Sequence, residues 1–254
     1  MKKNKKDLFF GREKDIEKLS ELIKYEPLLL LYSKSGLGKS SLLNAGIQPK
    51  LEQQKNTYVV NIRFTRYTKG SLSPVDTIIS KLGFNNRDRS LLDRIIAGDN
   101  SLWYHFKKDY LQMIEPQKYI LIFDQFEELF SYPKEHIWQL KKQLADLMYV
   151  QVPQHYRDEL NELLDLDPEF LDDGELERLH KPLDISVVTA IRSDKMSMMN
   201  ELTDYLPTIL KNFYELQPLN RDRAKDAIIN PAQAIGEYLS DPFEYEPKTF
   251  RQNS

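Results

Sequence analysis

The chain contains no cysteine among its 254 residues. Disulfides and thiol-ligated metals are therefore excluded, and a reducing, cytoplasmic setting fits the composition. Long apolar runs are also missing: nothing approaches the ~20 residues that cross a bilayer. The basic start Met1-Lys2-Lys3-Asn4-Lys5-Lys6 runs into Asp7-Leu8-Phe9-Phe10-Gly11, too short an apolar segment for a signal-peptide core. Residues 1–7 read as a solvated basic tail. Positive charge is not in surplus, and a net charge of −3 gives no electrostatic case for a nucleic-acid partner. His105, His136, His155 and His180 are scattered without metal-ligand spacing. No nucleophile elbow, Ser/Cys–His pairing, internal repeat or low-complexity linker is present. What remains is 41% hydrophobic and 30% charged, a soluble globular composition. The length suffices for one large α/β domain or a core with a small appendage.

Strand-like and helix-like segments alternate. Apolar runs at residues 28–32, 57–64, 119–123 and 185–191, with a shorter one at 213–216, predict strands. Helical spacing predicts helices over 12–25, 40–54, 74–82, 91–97, 102–113, 137–149 and 221–229, the last stopped near Pro231. Alternation of this kind implies crossover connections and a parallel sheet. A long insertion, residues 132–182, separates the third and fourth strands. Within it, Asp158 to Glu177 carries ten acidic residues and reads as a solvated helical excursion, not a catalytic carboxylate cluster. Trp103 and Trp138 sit at helical spacing and read as packing.

Directly behind the first strand stands Ser33-Lys34-Ser35-Gly36-Leu37-Gly38-Lys39-Ser40-Ser41. A tight loop between a buried strand and a helix points successive N–H groups into one concavity, and the helix adds its positive dipole end. Gly36 and Gly38 permit backbone conformations that a side chain would block. Lys39 can reach terminal phosphates, and the Ser40 hydroxyl can ligate Mg²⁺. Ser33 stands where the usual G-x-x-x-x-G-K-[ST] pattern has glycine; the inner glycines and the Gly-Lys-Ser core are intact. The implied ligand is a nucleoside triphosphate.

The third strand ends in Asp124-Gln125-Phe126-Glu127-Glu128. A carboxylate delivered at the C-terminal edge of an open α/β sheet lies where such folds bind ligands. Asp124 is the candidate to hold Mg²⁺ of a bound nucleotide, and Glu127 or Glu128 the candidate general base. Read alone, the same residues describe an acidic turn. The fourth strand ends in Ile191-Arg192-Ser193-Asp194, placing Arg192 at the same edge, where it can meet a γ-phosphate or pair with Asp194. Near the start, Gly11 permits a turn that Phe10 and Arg12 flank; the pair can face a flat base or simply open a helix.

Together, Phe10-Gly11-Arg12-Glu13, Gly36-Leu37-Gly38-Lys39-Ser40, Ile122 to Glu128 and Arg192-Ser193-Asp194 resemble the STAND class of P-loop NTPases. The Asp-Gln-Phe-Glu-Glu form, with Glu215-Leu216-Gln217-Pro218-Leu219 and Ala227 to Ala232, is most similar to the bacterial branch called novel STAND. The resemblance covers about residues 8 to 236. It implies a three-layer α/β sandwich with an ASCE-type parallel sheet of order 5-1-4-3-2. It implies that the Gly-Arg turn (Phe10, Gly11, Arg12) lies near adenine, that Arg192 senses the γ-phosphate, and that Pro231 touches the base region. It also implies ATP or ADP with Mg²⁺ as ligands, ATP-dependent self-assembly into a homo-oligomer, and an effector activated in response to an unknown trigger, often in antiphage defence. The expected division is a core over 8–217 and a partial helical lid over 218–254. No N-terminal effector or C-terminal repeat sensor is matched.

The leading expectation is a Mg-ATP-dependent signalling switch with slow hydrolysis and no membrane partner. An initiator-like AAA+ ATPase acting on DNA shares the Gly-Arg-Glu turn, but the acidic balance counts against it. A non-hydrolysing adaptor with structural nucleotide is the third reading, opposed by the retained Asp124, Glu127 and Glu128.

Overall fold

A computed structural model describes residues 9–84 and 90–233. The basic tail and residues 234–254 of the expected lid lie outside the described residues. Five strands form one all-parallel sheet: β1 (Leu28–Ser33), β2 (Thr57–Arg63), β3 (Lys118–Asp124), β4 (Asp184–Arg192) and β5 (Phe213–Glu215). The spatial order is β2-β3-β4-β1-β5, the expected 5-1-4-3-2 order taken from the other edge. Helices cover both faces of the sheet, giving the expected three-layer α/β sandwich.

The apolar runs in β1, β3 and β4 are near-continuous because both faces are covered. Successive residues face opposite layers. Leu29, Leu31, Ile120, Ile122 and Val188 meet Leu19, Ile23, Leu42, Leu43 and Ile47 from α1 (Glu13–Tyr25) and α2 (residues 39–51). Leu28, Leu30, Tyr119, Leu121 and Val187 meet the other layer, built from α3 (Pro74–Ile79), α5 (Leu102–Gln112) and α6 (Lys134–Tyr149), through Ile78, Phe106, Leu140 and Leu144. Parallel register aligns Ser33 with Arg192 and Arg63 with Asp124. The residues that close β1, β3 and β4 therefore emerge together at the C-terminal edge.

Helix α2 is α-helical over Lys39–Ser41 and Gln48–Leu51 but π-helical over Leu42–Ile47. Gly46 explains how α1 approaches it: a Cβ there would lie 2.7 Å from the Ile16 side chain. Nothing in the sequence pattern signalled the wider turn.

The insertion is more than a solvated excursion. Its first helix, α6, covers the sheet. Its next two, α7 (Gln154–Leu166) and α8 (Asp173–His180), bury Tyr156, Leu160 and Leu179 against Leu92, Ile95, Trp103 and Tyr104 of α4 (Leu91–Ile95) and α5. Helix α5 is consequently enclosed, charged residues included. Lys107 is fully buried and donates from Nζ to the Lys181 carbonyl at 2.5 Å; burial, with Arg178 nearby, lowers its pKa to about 8. Trp138 corrects the packing expectation. It is half-exposed, with the Lys142 ammonium 5.4 Å above its ring.

The last helix, α9 (Arg221–Gln233), corrects another expectation: it runs through Pro231 rather than stopping before it. A proline this close to the end of the described helix costs one hydrogen bond to the preceding turn. The helix rests on the N-terminal turn. A Cβ at Gly11 would lie 2.4 Å from the Arg223 carbonyl oxygen, and Gly11 has φ +83°. Only glycine fits there on both counts.

Candidate nucleotide-binding site

At the C-terminal sheet edge lies an open cleft of about 350 Å³ lined by Ser35, Gly36, Gly38, Lys39, Ser40, Ser41, Asp124, Gln125, Glu127, Glu128 and Arg192. Ten of these eleven were named from sequence as phosphate-loop, metal or catalytic candidates. The strand β1 delivers the loop, and Gly36 (φ +82°) and Gly38 (φ +88°) take the left-handed conformation that lets it turn tightly into α2.

Two contacts organise the cleft. The Ser40 hydroxyl donates to Asp124 Oδ1 at 2.8 Å, joining residues 84 positions apart. Asp124 is almost fully buried, and its Oδ1 also accepts the Gln125 N–H at 3.0 Å. Lys39 folds back along the loop. Its ammonium donates to the Ser33 carbonyl at 3.2 Å and to the Ser33 hydroxyl at 3.0 Å. The serine that replaces the usual glycine thus supplies an extra, buried acceptor for Lys39. Burial lowers the Lys39 pKa, while the negative charges of Glu127, Asp124 and Asp194 oppose that shift.

Glu127 and Glu128 enter on a 3-10 turn, Phe126–Ser131, that Phe126 and Leu129 anchor in the core. The two carboxylates differ. Glu127 Oε2 is buried and has no hydrogen-bond partner, and Glu127 is the foremost electrostatic partner of Lys39. A buried carboxylate oxygen left unpaired costs on the order of 1–3 kcal/mol or more. It is a position suited to an incoming donor.

Arg192 lines the cleft, yet its guanidinium makes a two-pronged ion pair with Asp194: Nε to Oδ1 at 3.0 Å and Nη2 to Oδ2 at 2.9 Å. The hydrogen bonds from Arg192 hold the Asp194 pKa below its usual range. Both side chains are largely exposed, so the pair is a weak one in water. Of the two roles the sequence left open for Arg192, the structure displays the pairing.

Phe10, Gly11, Arg12, Leu37 and Pro231 do not line the cleft. Gly11 meets α9, the helix that carries Pro231, at Arg223 and Ala227. Arg12 is turned inward and buried, its guanidinium engaged by protein atoms including the Leu37 carbonyl. Gln125 was not anticipated. It sits at φ +56°, unusual for a side chain of its size, and its Oε1 accepts a hydrogen bond from Arg63 Nε at 2.8 Å. The available signal was its place, immediately after the strand-ending Asp124.

The lining suits a hard divalent cation: the Ser40 hydroxyl and the Asp124 carboxylate, with the Glu127 and Glu128 carboxylates in the same cleft and no histidine or cysteine among its residues. No group of three or more Asp, Glu, His or Cys placed to hold a metal ion by itself occurs among the described residues.

A five-stranded parallel sheet of this order, a glycine-turned loop at the tip of β1 and a strand-ending Asp bonded to the loop Ser define a P-loop NTPase. The family profile described as Novel STAND NTPase 1 matches residues 1–244, and the chain belongs to that family. No curated protein matches the chain. Among solved structures, the ORC2 protein of Aeropyrum pernix in its ADPNP-ADP complexes is 15% identical, with a TM-score of 0.44, over 87% of this chain and 51% of that one. A Walker-type ATPase of Pyrococcus abyssi is 17% identical, with a TM-score of 0.40, over 85% and 55%. The chain spans about half the length of each. No described helix is long and apolar enough to cross a membrane.

Proposed function

We propose that this NTPase module is a Mg-ATP-dependent switch with slow hydrolysis, whose assembly with further copies depends on the bound nucleotide. The Ser40–Asp124 hydrogen bond carries this reading, because it brings the loop hydroxyl and the strand carboxylate to one point beside Lys39.

The loop N–H groups and Lys39 bind the β- and γ-phosphates, and Lys39 leaves Ser33 to do so. Ser40 and Asp124 would hold Mg²⁺, which when bound neutralises charge on the phosphate oxygens. Glu127, through its unpaired oxygen, orients a water and takes its proton as the water oxygen bonds to the γ-phosphorus; the bond from that phosphorus to the β,γ-bridging oxygen breaks, and ADP leaves with the electron pair. Arg192 exchanges Asp194 for the γ-phosphate. The exposed carboxylate is a weak competitor, so a dianionic terminal phosphate can outbid it. ADP offers no such group, and Arg192 stays with Asp194. The two nucleotides thereby stabilise two arrangements of the loop after β4.

A switch requires unequal affinity for its states; near-complete conversion needs a ratio of about 10⁴. The proposed output is self-assembly that engages an effector in a bacterial signalling or antiphage pathway, in the cytoplasm. Phosphate release and light scattering by the purified chain test the reading. Slow release with Mg-ATP, halted by EDTA, and scattering that rises with a non-hydrolysable ATP analogue but not with ADP, are expected. No release under any condition, with scattering the same in both nucleotides, overturns it.

A further inference from the structure

We propose that Arg12 is a positioning residue that ties the shape of the phosphate loop to the placement of α9. The inference rests on the nucleotide-binding reading of the cleft, and it concerns a residue that does not line that cleft.

Arg12 is 6% exposed. Its Nη2 donates to the Leu37 carbonyl at 3.0 Å, inside the phosphate loop. Its Nη1 donates to the Gln217 carbonyl at 2.7 Å, on the connector between β5 and α9, and to Asp15 Oδ2 at 3.0 Å. The other Asp15 oxygen accepts from the Tyr214 hydroxyl of β5 at 2.6 Å. One guanidinium therefore fastens the loop, the connector and α1. Its neighbour Gly11 is packed against the Arg223 carbonyl of α9. The N-terminal turn thus touches α9 on one side and the phosphate loop on the other.

The Leu37 contact has a specific geometric consequence. A trans peptide holds its C=O and the following N–H in one plane, pointing in opposite directions. Turning the Leu37 carbonyl toward Arg12 turns the Gly38 N–H away from it, to the side where Gly38 lines the cleft. A flip of that peptide turns on the Leu37 ψ and the Gly38 φ, and Gly38, at φ +88°, has no side chain to resist it. Arg12 is what selects its direction. A planar fork can bond two carbonyls in fixed directions at once, which a lysine ammonium on a flexible stem does less well. If α9 and its connector shift, the Gln217 carbonyl draws the guanidinium with it, and the Gly38 N–H loses its aim. Conversely, phosphate on the loop N–H groups favours the bound direction of the Leu37 carbonyl and steadies the connector.

Amide hydrogen exchange and calorimetry with ADP, on the wild-type chain and on Arg12→Lys, test the link. Without nucleotide, Arg12→Lys should speed exchange both at residues 36–38 and at 217–221. With ADP, the wild type should show protection spreading to 217–233. Arg12→Lys should bind ADP about tenfold more weakly and lose that remote protection. Tyr214→Phe, which removes only the outer support of Asp15, should shift both readouts in the same direction by less, and it serves if Arg12→Lys does not fold. Unchanged exchange in the nucleotide-free variant, or wild-type ADP affinity with remote protection intact, overturns the coupling while leaving the binding site standing. A wild-type chain that binds no ADP removes the underlying reading and the coupling with it.

Discussion

Lys39→Ala is expected to lower affinity for both ADP and ATP by a factor of about 100 or more. The ammonium and Arg192 are the cationic groups lining the cleft, and burial has already removed part of the water around Lys39. A hydrogen bond from a charged donor contributes about 1.5–3 kcal/mol, and two such bonds to phosphate oxygens exceed two powers of ten. The fold should survive, because the Lys39 ammonium donates its hydrogen bonds to Ser33, and the Ser33 hydroxyl keeps its bond to the Lys34 carbonyl at 2.9 Å. Titration calorimetry gives the affinity, and circular dichroism checks the fold. Full affinity in a folded variant would show that polyphosphate binds without this loop.

Glu127→Gln should slow phosphate release by about 10²–10⁴ while ATP affinity stays equal or rises. The substitution keeps size and shape and removes only the basic oxygen. Affinity can rise because a negative charge facing the γ-phosphate is deleted. Glu128→Gln is the comparison, expected within a few-fold of wild type. The structure separates two residues that the sequence could not: Glu127 has the buried unpaired oxygen and the closer tie to Lys39. Single-turnover release measured on both variants decides. Normal turnover in Glu127→Gln with a large loss in Glu128→Gln would exchange the roles.

The legibility of this protein in its sequence follows the range of the interactions involved. The loop from Ser33 to Ser41 could be read because its chemistry is contiguous. Asp124 and Arg192 could be read because buried strands end in polar residues at a predictable edge. The strand order came only through family resemblance, since apolar runs say which segments are strands and not which ones are neighbours. Arg12 was beyond local reading. Its sequence context offered a flat base or a helix start, whereas its acceptors at Leu37 and Gln217 lie 25 and 205 residues away. Lys107 was hidden for the same reason: α5 is enclosed only because α7 and α8, far along the chain, fold over it. Pro231 and Trp138 were misread by local rules that the tertiary setting overrode.

The central claim is that Lys39, Ser40 and Asp124 together hold a magnesium-bound polyphosphate. A crystal structure of the chain grown with Mg²⁺ and a non-hydrolysable ATP analogue tests it most directly. The account predicts the β-phosphate within hydrogen-bond distance of the Gly38 N–H and Lys39 Nζ, and the metal on the Ser40 hydroxyl beside Asp124. A saturated crystal with the nucleotide bound elsewhere, Lys39 still on Ser33 and no metal beside Asp124, would contradict it.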